Sequence, residues 1–183
     1  MIPKTYKIFN FKAYMEWKTH ISLGILFGLI AYILLSRKFF AEINLIDFLI
    51  WTSFFSIAPD FDIIFKHRSE YTHSLLGVFL GFIIGFILKR NLLWAFIAAS
   101  SLLSHVFGDS LTSSGVPLFY PFSKRKHVHF PYIGGRTRYD NKYANKAIQV
   151  IGLFLIIILL SYGVYRGDVE STFIKRLIDY LTL

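Results

Sequence analysis

Five stretches of this chain contain no Asp, Glu, Lys or Arg: residues 21–36, 48–59, 72–88, 91–108 and 147–165. A bilayer core excludes charge and is crossed by about 20 consecutive apolar residues in helical form. Each stretch therefore predicts a membrane-spanning helix. The second and third fall short of that length, so they are expected to be tilted, half-buried, or extended by flanking Lys and aromatic residues. The pattern reads as an all-α, multi-spanning helical membrane bundle of about five spans.

Small residues punctuate these helices at four-residue spacing: Gly24 and Gly28 in the first, Gly77, Gly81 and Gly85 in the third, and Ser100, Ser104 and Gly108 in the fourth. Such faces let membrane helices approach closely. They serve packing within one chain or a homodimer through the Gly-rich faces. Beyond Tyr165, Phe173, Ile174, Leu177, Ile178 and Leu181 recur at helical spacing, as in an amphipathic helix on a membrane surface. The first 19 residues carry Phe9, Phe11, Tyr14 and Trp17 among four lysines and suggest a similar interfacial arm. The run at 21–36 ends in Ser36-Arg37-Lys38 with no small-residue cleavage pattern, so it reads as a retained first helix.

Composition supports this class. The chain is 55% hydrophobic and 17% charged, against about 25% charged in an ordinary globular domain. Nothing along 1–183 reads as a linker, so one membrane-embedded domain is expected. The net charge of +9 lies in short Lys and Arg clusters between apolar runs. Clusters so placed flank a bilayer, which makes anionic lipid headgroups the expected partner and argues against nucleic acid. If the five spans alternate, 13 of the 20 Lys and Arg fall on the side holding the N-terminal arm, residues 60–71 and residues 109–146. That side is expected to be cytoplasmic, in a cell (inner) membrane.

The ionisable residues on this topology converge. His20 begins the first span, Asp60 and Asp62 follow the second, His73 opens the third, and His105 with Asp109 closes the fourth. All fall on one face of the membrane. His105 and Asp109 stand four apart and so share a helix face, which suits either joint coordination of a metal or a helix-end ion pair. The segment APDFD at 58–62 offers two carboxylates after a helix-ending Pro, or turn and cap chemistry. His73 lies between Thr72 and Ser74, whose hydroxyls either cap the helix or orient the imidazole through its second nitrogen. Arg68 is a candidate bidentate clamp for a phosphate oxygen, or a membrane-surface anchor. His127 and His129 stand in a basic run, KRKHVHF, and read as solvated surface. With no Cys, any metal takes imidazole and carboxylate.

The order of these motifs resembles the YdjM-type family of membrane-bound metal-dependent hydrolases. The likeness runs from about residue 19 to 145 through Thr19-His20, APDFD, HRSEYTHS at 67–74, SHVFGDSLTSSGVPLFYPFS at 104–123 and the Gly-Gly turn at 134–135. That family distantly resembles the zinc-dependent phospholipase C and single-strand nuclease superfamily, all-helical enzymes with ligands in the order His, Asp, His, then His-x-x-x-Asp. The resemblance implies that Asp60, His73, His105 and Asp109 hold one metal, most simply Zn²⁺, while His20 joins a bridging Asp109 on a second. The superfamily's use of a free N-terminal amine has no counterpart here, because His20 is far from Met1.

The expectation is therefore a membrane-bound hydrolase that cleaves a phosphoester, such as a lipid phosphate or phospholipid, at the membrane interface. Asp60 or Asp62 accepts the proton of the attacking water, and Arg68 holds phosphate. The alternative is a non-enzymatic metal-binding membrane protein or cation transporter, which would place its ligands near the bilayer midplane.

Overall fold

A computed structural model describes residues 15–39, 43–64, 69–123, 128–130, 135, 138 and 141–167. All five charge-free stretches form helices: α1 (Trp17–Phe39), α2 (Leu45–Ile57), α3 (Leu75–Lys89), α4 (Leu92–Leu111) and α5 (Lys142–Tyr165). The chain after α2 continues as a 3-10 segment, Ala58–Ile64. Among the described residues there is no strand, only an isolated antiparallel bridge between Val116 and Val128. The amphipathic C-terminal segment and the arm before Met15 lie outside the described residues.

Among the described residues, three helices are long and apolar enough to cross a membrane: Trp17–Ser36, Leu92–Leu111 and Lys142–Tyr165. The expected count of five spans is therefore too high. The second and third apolar runs give helices of 13 and 15 residues, roughly 20 and 22 Å long. Their shortness has a local cause in each case. Pro59 lacks an amide hydrogen and ends α2's regular ladder. At the other helix, residues 72–74 leave the helical path so that His73 can turn inward, and α3 begins only at Leu75.

α4 is the central helix, packed against α1, α2 and α3, while α5 rests on α1. The glycines mark the crossings. A Cβ on Gly24 would stand 2.4 Å from Ser56 Cβ, one on Gly28 2.5 Å from Thr52 Cγ2, and one on Gly85 2.8 Å from Ala98 Cβ. Gly24, Gly28 and Gly85 thus pack against neighbouring helices of the same chain. The apolar core between α1, α2 and α4 includes Leu29, Ile33, Phe48, Leu93 and Ile97. By contrast α5 presents Ile151, Phe154, Ile157 and Ile158 outward, as a lipid-facing helix does.

The remote end of the bundle is closed by Lys89, whose Nζ lies 4.8 Å from the Trp94 ring centroid, 5.4 Å from that of Trp51, and 3.4 Å from Asp47 Oδ2. Tryptophan with lysine at a helix end is the composition of a membrane boundary. At the opposite end, Asn145 on α5 accepts hydrogen bonds from Thr19 Oγ1 (2.9 Å) and from the Glu16 amide (3.3 Å), which caps the start of α1 from another helix. Gln149 adds a bond to Thr19 Oγ1 at 2.9 Å.

Gly24→Leu is expected to force α1 from α2 and destabilise the bundle by about 1–3 kcal/mol, the usual cost of overpacking. Ile157→Leu, facing lipid, is expected to change little. Thermal unfolding midpoints in detergent compare the two.

A buried His and Asp centre

The five ligand candidates of the sequence come together at one end of the bundle. α4 carries His105 and Asp109 in its last two turns, α1 carries His20 in its first turn, the 3-10 segment carries Asp60, and the turn before α3 carries His73. His20, His73 and His105 are at most 1% exposed and Asp109 is 3% exposed, whereas the Asp60 side chain retains 21% exposure. Asp60 therefore stands at the opening.

The hydrogen-bond partners assign the imidazole tautomers. His105 Nδ1 lies 2.7 Å from the Ser56 carbonyl oxygen. A carbonyl only accepts, so Nδ1 carries the hydrogen and Nε2 carries the lone pair. Ser56 is in the last turn of α2, where carbonyls lose their helical partners, so the end of one helix orients a ligand on another. His73 Nδ1 lies 3.2 Å from Asp62 Oδ2 and 2.9 Å from Thr72 Oγ1. The Thr72 hydroxyl donates its one proton to Asp62 Oδ2 at 2.6 Å and can only accept from His73. Here too Nδ1 holds the hydrogen and Nε2 is left with a lone pair.

Those two Nε2 atoms face each other at 3.2 Å. Around them lie Asp109 Oδ2, 3.6 Å from His73 Nε2 and 3.8 Å from His105 Nε2, and Asp60 Oδ1, 3.6 Å from His105 Nε2. Asp60 Oδ1 thus joins the two imidazoles as one group of three, and Asp109 Oδ2 lies beside it. Ligands about 2.0–2.1 Å from a tetrahedral ion stand roughly 3.3–3.4 Å apart, close to the separations here. Imidazole with carboxylate fits a divalent metal, and Asp60, His73 and His105 together could hold one.

A second group overlaps the first. The His20 ring stacks on His105 with centroids 3.9 Å apart and planes 18° from parallel, and its Nε2 is 3.7 Å from Asp109 Oδ1. The two oxygens of Asp109 therefore face different sides: Oδ2 the His73–His105 pair, Oδ1 His20. This is the arrangement a bridging carboxylate needs. His20, His105 and Asp109 together form a second candidate group.

The two carboxylates of APDFD separate. Asp60 joins the donor set, whereas Asp62 stands behind His73, where its Oδ2 also accepts the Ser69 amide at 2.6 Å. Burial by itself would raise the Asp62 pKa, but hydrogen bonds from His73, Thr72 and the Ser69 amide, with attraction to His73, outweigh it and hold the carboxyl below its ordinary range. Asp62 is thus an ionised acceptor that fixes the His73 ring, the outer partner that metal-binding imidazoles usually have. Its position does not suit the water-activating role considered for it from sequence. Of the flanking hydroxyls, Thr72 orients the imidazole and Ser74 makes no side-chain cap bond. Arg68, His67 and His127 lie outside the described residues. His129 lies on the Val128–Phe130 segment, with Nδ1 3.1 Å from the Thr112 carbonyl oxygen.

The Ser56 carbonyl, Asn145 and Gln149 were not read from the sequence. The Ser56 carbonyl has no side-chain signature. Asn145 and Gln149 do leave a trace, since amides four apart on a helix face entering a long apolar run ask for a polar partner inside the membrane.

Asp109→Asn is expected to abolish divalent metal binding, because it removes charge from both groups at once. Asp62→Asn is expected to keep the metal but weaken its affinity about 10–100-fold, as for loss of an outer hydrogen-bond partner. Chelator competition on the purified proteins measures both.

Compared with known proteins, residues 15–169 match the family model described as YdjM inner membrane protein. No curated protein and no solved structure matches the chain.

Proposed function

We propose that this chain, which belongs to the YdjM inner membrane protein family, is a membrane-bound metal-dependent hydrolase that cleaves a phosphoester at the membrane interface, with a lipid phosphate or phospholipid as the substrate class. The observation that carries this reading is a group of three protein donors, Asp60, His73 and His105, of which the two histidines are buried and Asp60 is partly exposed. A structural metal site is closed by four protein ligands, while a catalytic one has three and keeps an open position. Position argues the same way. His105 and Asp109 are in the last two turns of α4, whereas a cation pathway would place its charges near the middle of the helix.

The metal is proposed to be Zn²⁺, since imidazole with carboxylate and no thiolate suits it; when bound it supplies Lewis acidity that lowers the pKa of a water toward about 7 and offsets charge on phosphate oxygens. The chain's own residues do the rest. His73 and His105 are locked in one tautomer by Asp62, Thr72 and the Ser56 carbonyl, so no reorganisation is needed during reaction. Asp60, at the opening, accepts a proton from the attacking water. The water oxygen forms the new bond to phosphorus, and the ester oxygen leaves with a proton drawn from solvent. Arg68 is the proposed phosphate clamp, from its place in the sequence beside the THS turn.

The test is a screen of phosphomonoester, phosphodiester and phospholipid substrates with and without chelator. Chelator-sensitive turnover that Asp60→Asn reduces by at least about 100-fold, within the range of general-base contributions, is expected. Arg68→Ala should keep its metal and raise KM more than it lowers kcat. Metal-loaded protein without turnover on any of these substrates would overturn the hydrolase reading and leave the metal centre standing.

We further propose that the metal end of the bundle faces the cytoplasm, because the loops at that end hold the larger share of Lys and Arg. The ends of α5 offer a clean check, since Tyr143 is 89% and Tyr165 88% exposed and the chain has no native Cys. Single cysteines at 143 and 165 should label from the cytoplasmic and opposite sides respectively; the reverse pattern would invert the orientation.

A further inference from the structure

Between α4 and α5 the chain makes a turn that the hydrolytic centre does not use. After the Val116–Val128 bridge, residues 118–122 form consecutive turns whose aromatic side chains point out of the protein. Phe122 is 97% exposed and Phe119 49% exposed. The Tyr120 ring meets Tyr71 edge-on at 5.2 Å. Phenylalanine exposed to this degree is unfavourable in water, at about 25 cal/mol per Å² of apolar surface.

The turn is fixed to α3. The Leu118 carbonyl accepts the Leu75 amide at 2.9 Å, so it stands at the N-terminus of that helix and takes the place of a side-chain cap, which Ser74 does not provide. α3 presents Leu75, Phe79, Ile83 and Phe86 outward, an apolar face continuous along its length. At 15 residues it reaches roughly 22 Å, short of a hydrocarbon core of about 30 Å. Its neighbour α4, against which it packs, has 20 residues and covers that thickness. The apolar face of α3 thus ends early at the metal end, and the aromatic turn sits where it ends. The next three residues in the sequence are Lys124, Arg125 and Lys126. Aromatic residues followed by a basic cluster match the boundary between acyl chains and anionic headgroups.

We propose that the Leu118–Ser123 turn is a membrane-inserted wedge that completes the lipid-facing surface of α3, with Phe119 and Phe122 in the acyl–headgroup boundary of an anionic bilayer. α3 begins only at Leu75, after the non-helical residues that carry His73 to within 3.2 Å of His105. The turn restores the apolar length that this detour removes. Its partner is the bilayer itself, and the inference depends on the apolar helices and not on hydrolysis.

The experiment places a nitroxide label on Phe122→Cys, and separately on Phe119→Cys, in the full chain reconstituted into phosphatidylethanolamine and phosphatidylglycerol vesicles. Leu153→Cys on the exposed face of α5 is the lipid-embedded reference. Collision rates with oxygen, which concentrates in the bilayer, should exceed those with a water-soluble nickel chelate at 119 and 122, as at 153. Chelate collisions that exceed oxygen collisions at 122 would place the turn in water and overturn the proposal. Metal content of each labelled protein, equal to that of the parent, shows that the fold is retained. A failed substrate screen leaves this result unaffected, so the two readings fail separately.

Discussion

Two imidazole nitrogens facing each other at 3.2 Å, each with its lone pair inward, are the constraint around which the rest of the molecule is arranged. With Asp60 and Asp109 they bring imidazole and carboxylate together inside an apolar bundle, in groups that could hold a metal ion. Holding these side chains so close demands that several elements end at one place.

Meeting that demand shapes the backbone. α2 has to stop at Pro59 so that Asp60 can approach His105, and the carbonyl of Ser56 that this ending releases becomes the acceptor that fixes the same histidine. α3 has to start late so that His73 can face inward, and the residues before it supply Asp62, Thr72 and the Ser69 amide as one connected support. α5 carries none of the candidate ligands, yet its Asn145 accepts the Glu16 amide and the hydroxyl of Thr19, the residue next to His20, at the start of α1. The two short helices thus end beside the site, and the long ones α1, α4 and α5 are those with the length and apolar character to cross a membrane.

This division also explains why small residues are concentrated where they are. Gly24, Gly28 and Gly85 bring α1 to α2 and α3 to α4 at separations that any Cβ would prevent. In a bilayer, where apolar surface gains little by leaving lipid, such close packing and a few interhelical hydrogen bonds supply the association. Precise approach of the helices then sets the ångström-scale spacing of ligands borne on four different elements.

The sequence by itself determined the helices and the order of the ligands. Exclusion of charge from a bilayer and the length of an apolar run are local properties, so all five runs were legible, as was the i, i+4 pairing of His105 with Asp109. That His20, Asp60 and His73 would fall at the same end followed from alternation of helix direction alone. Tertiary structure decided what alternation and composition do not encode. Asp60 and Asp62 are chemically identical and two residues apart, and only the path of the 3-10 segment sends one to the donor set and the other behind His73. Which nitrogen of His105 is free depends on a backbone carbonyl from α2, a group every residue possesses and no sequence pattern distinguishes. The span count changed for the same reason: an apolar run records what lipid tolerates, while the length of the helix within it depends on where the chain turns, here at Pro59 and at residues 72–74.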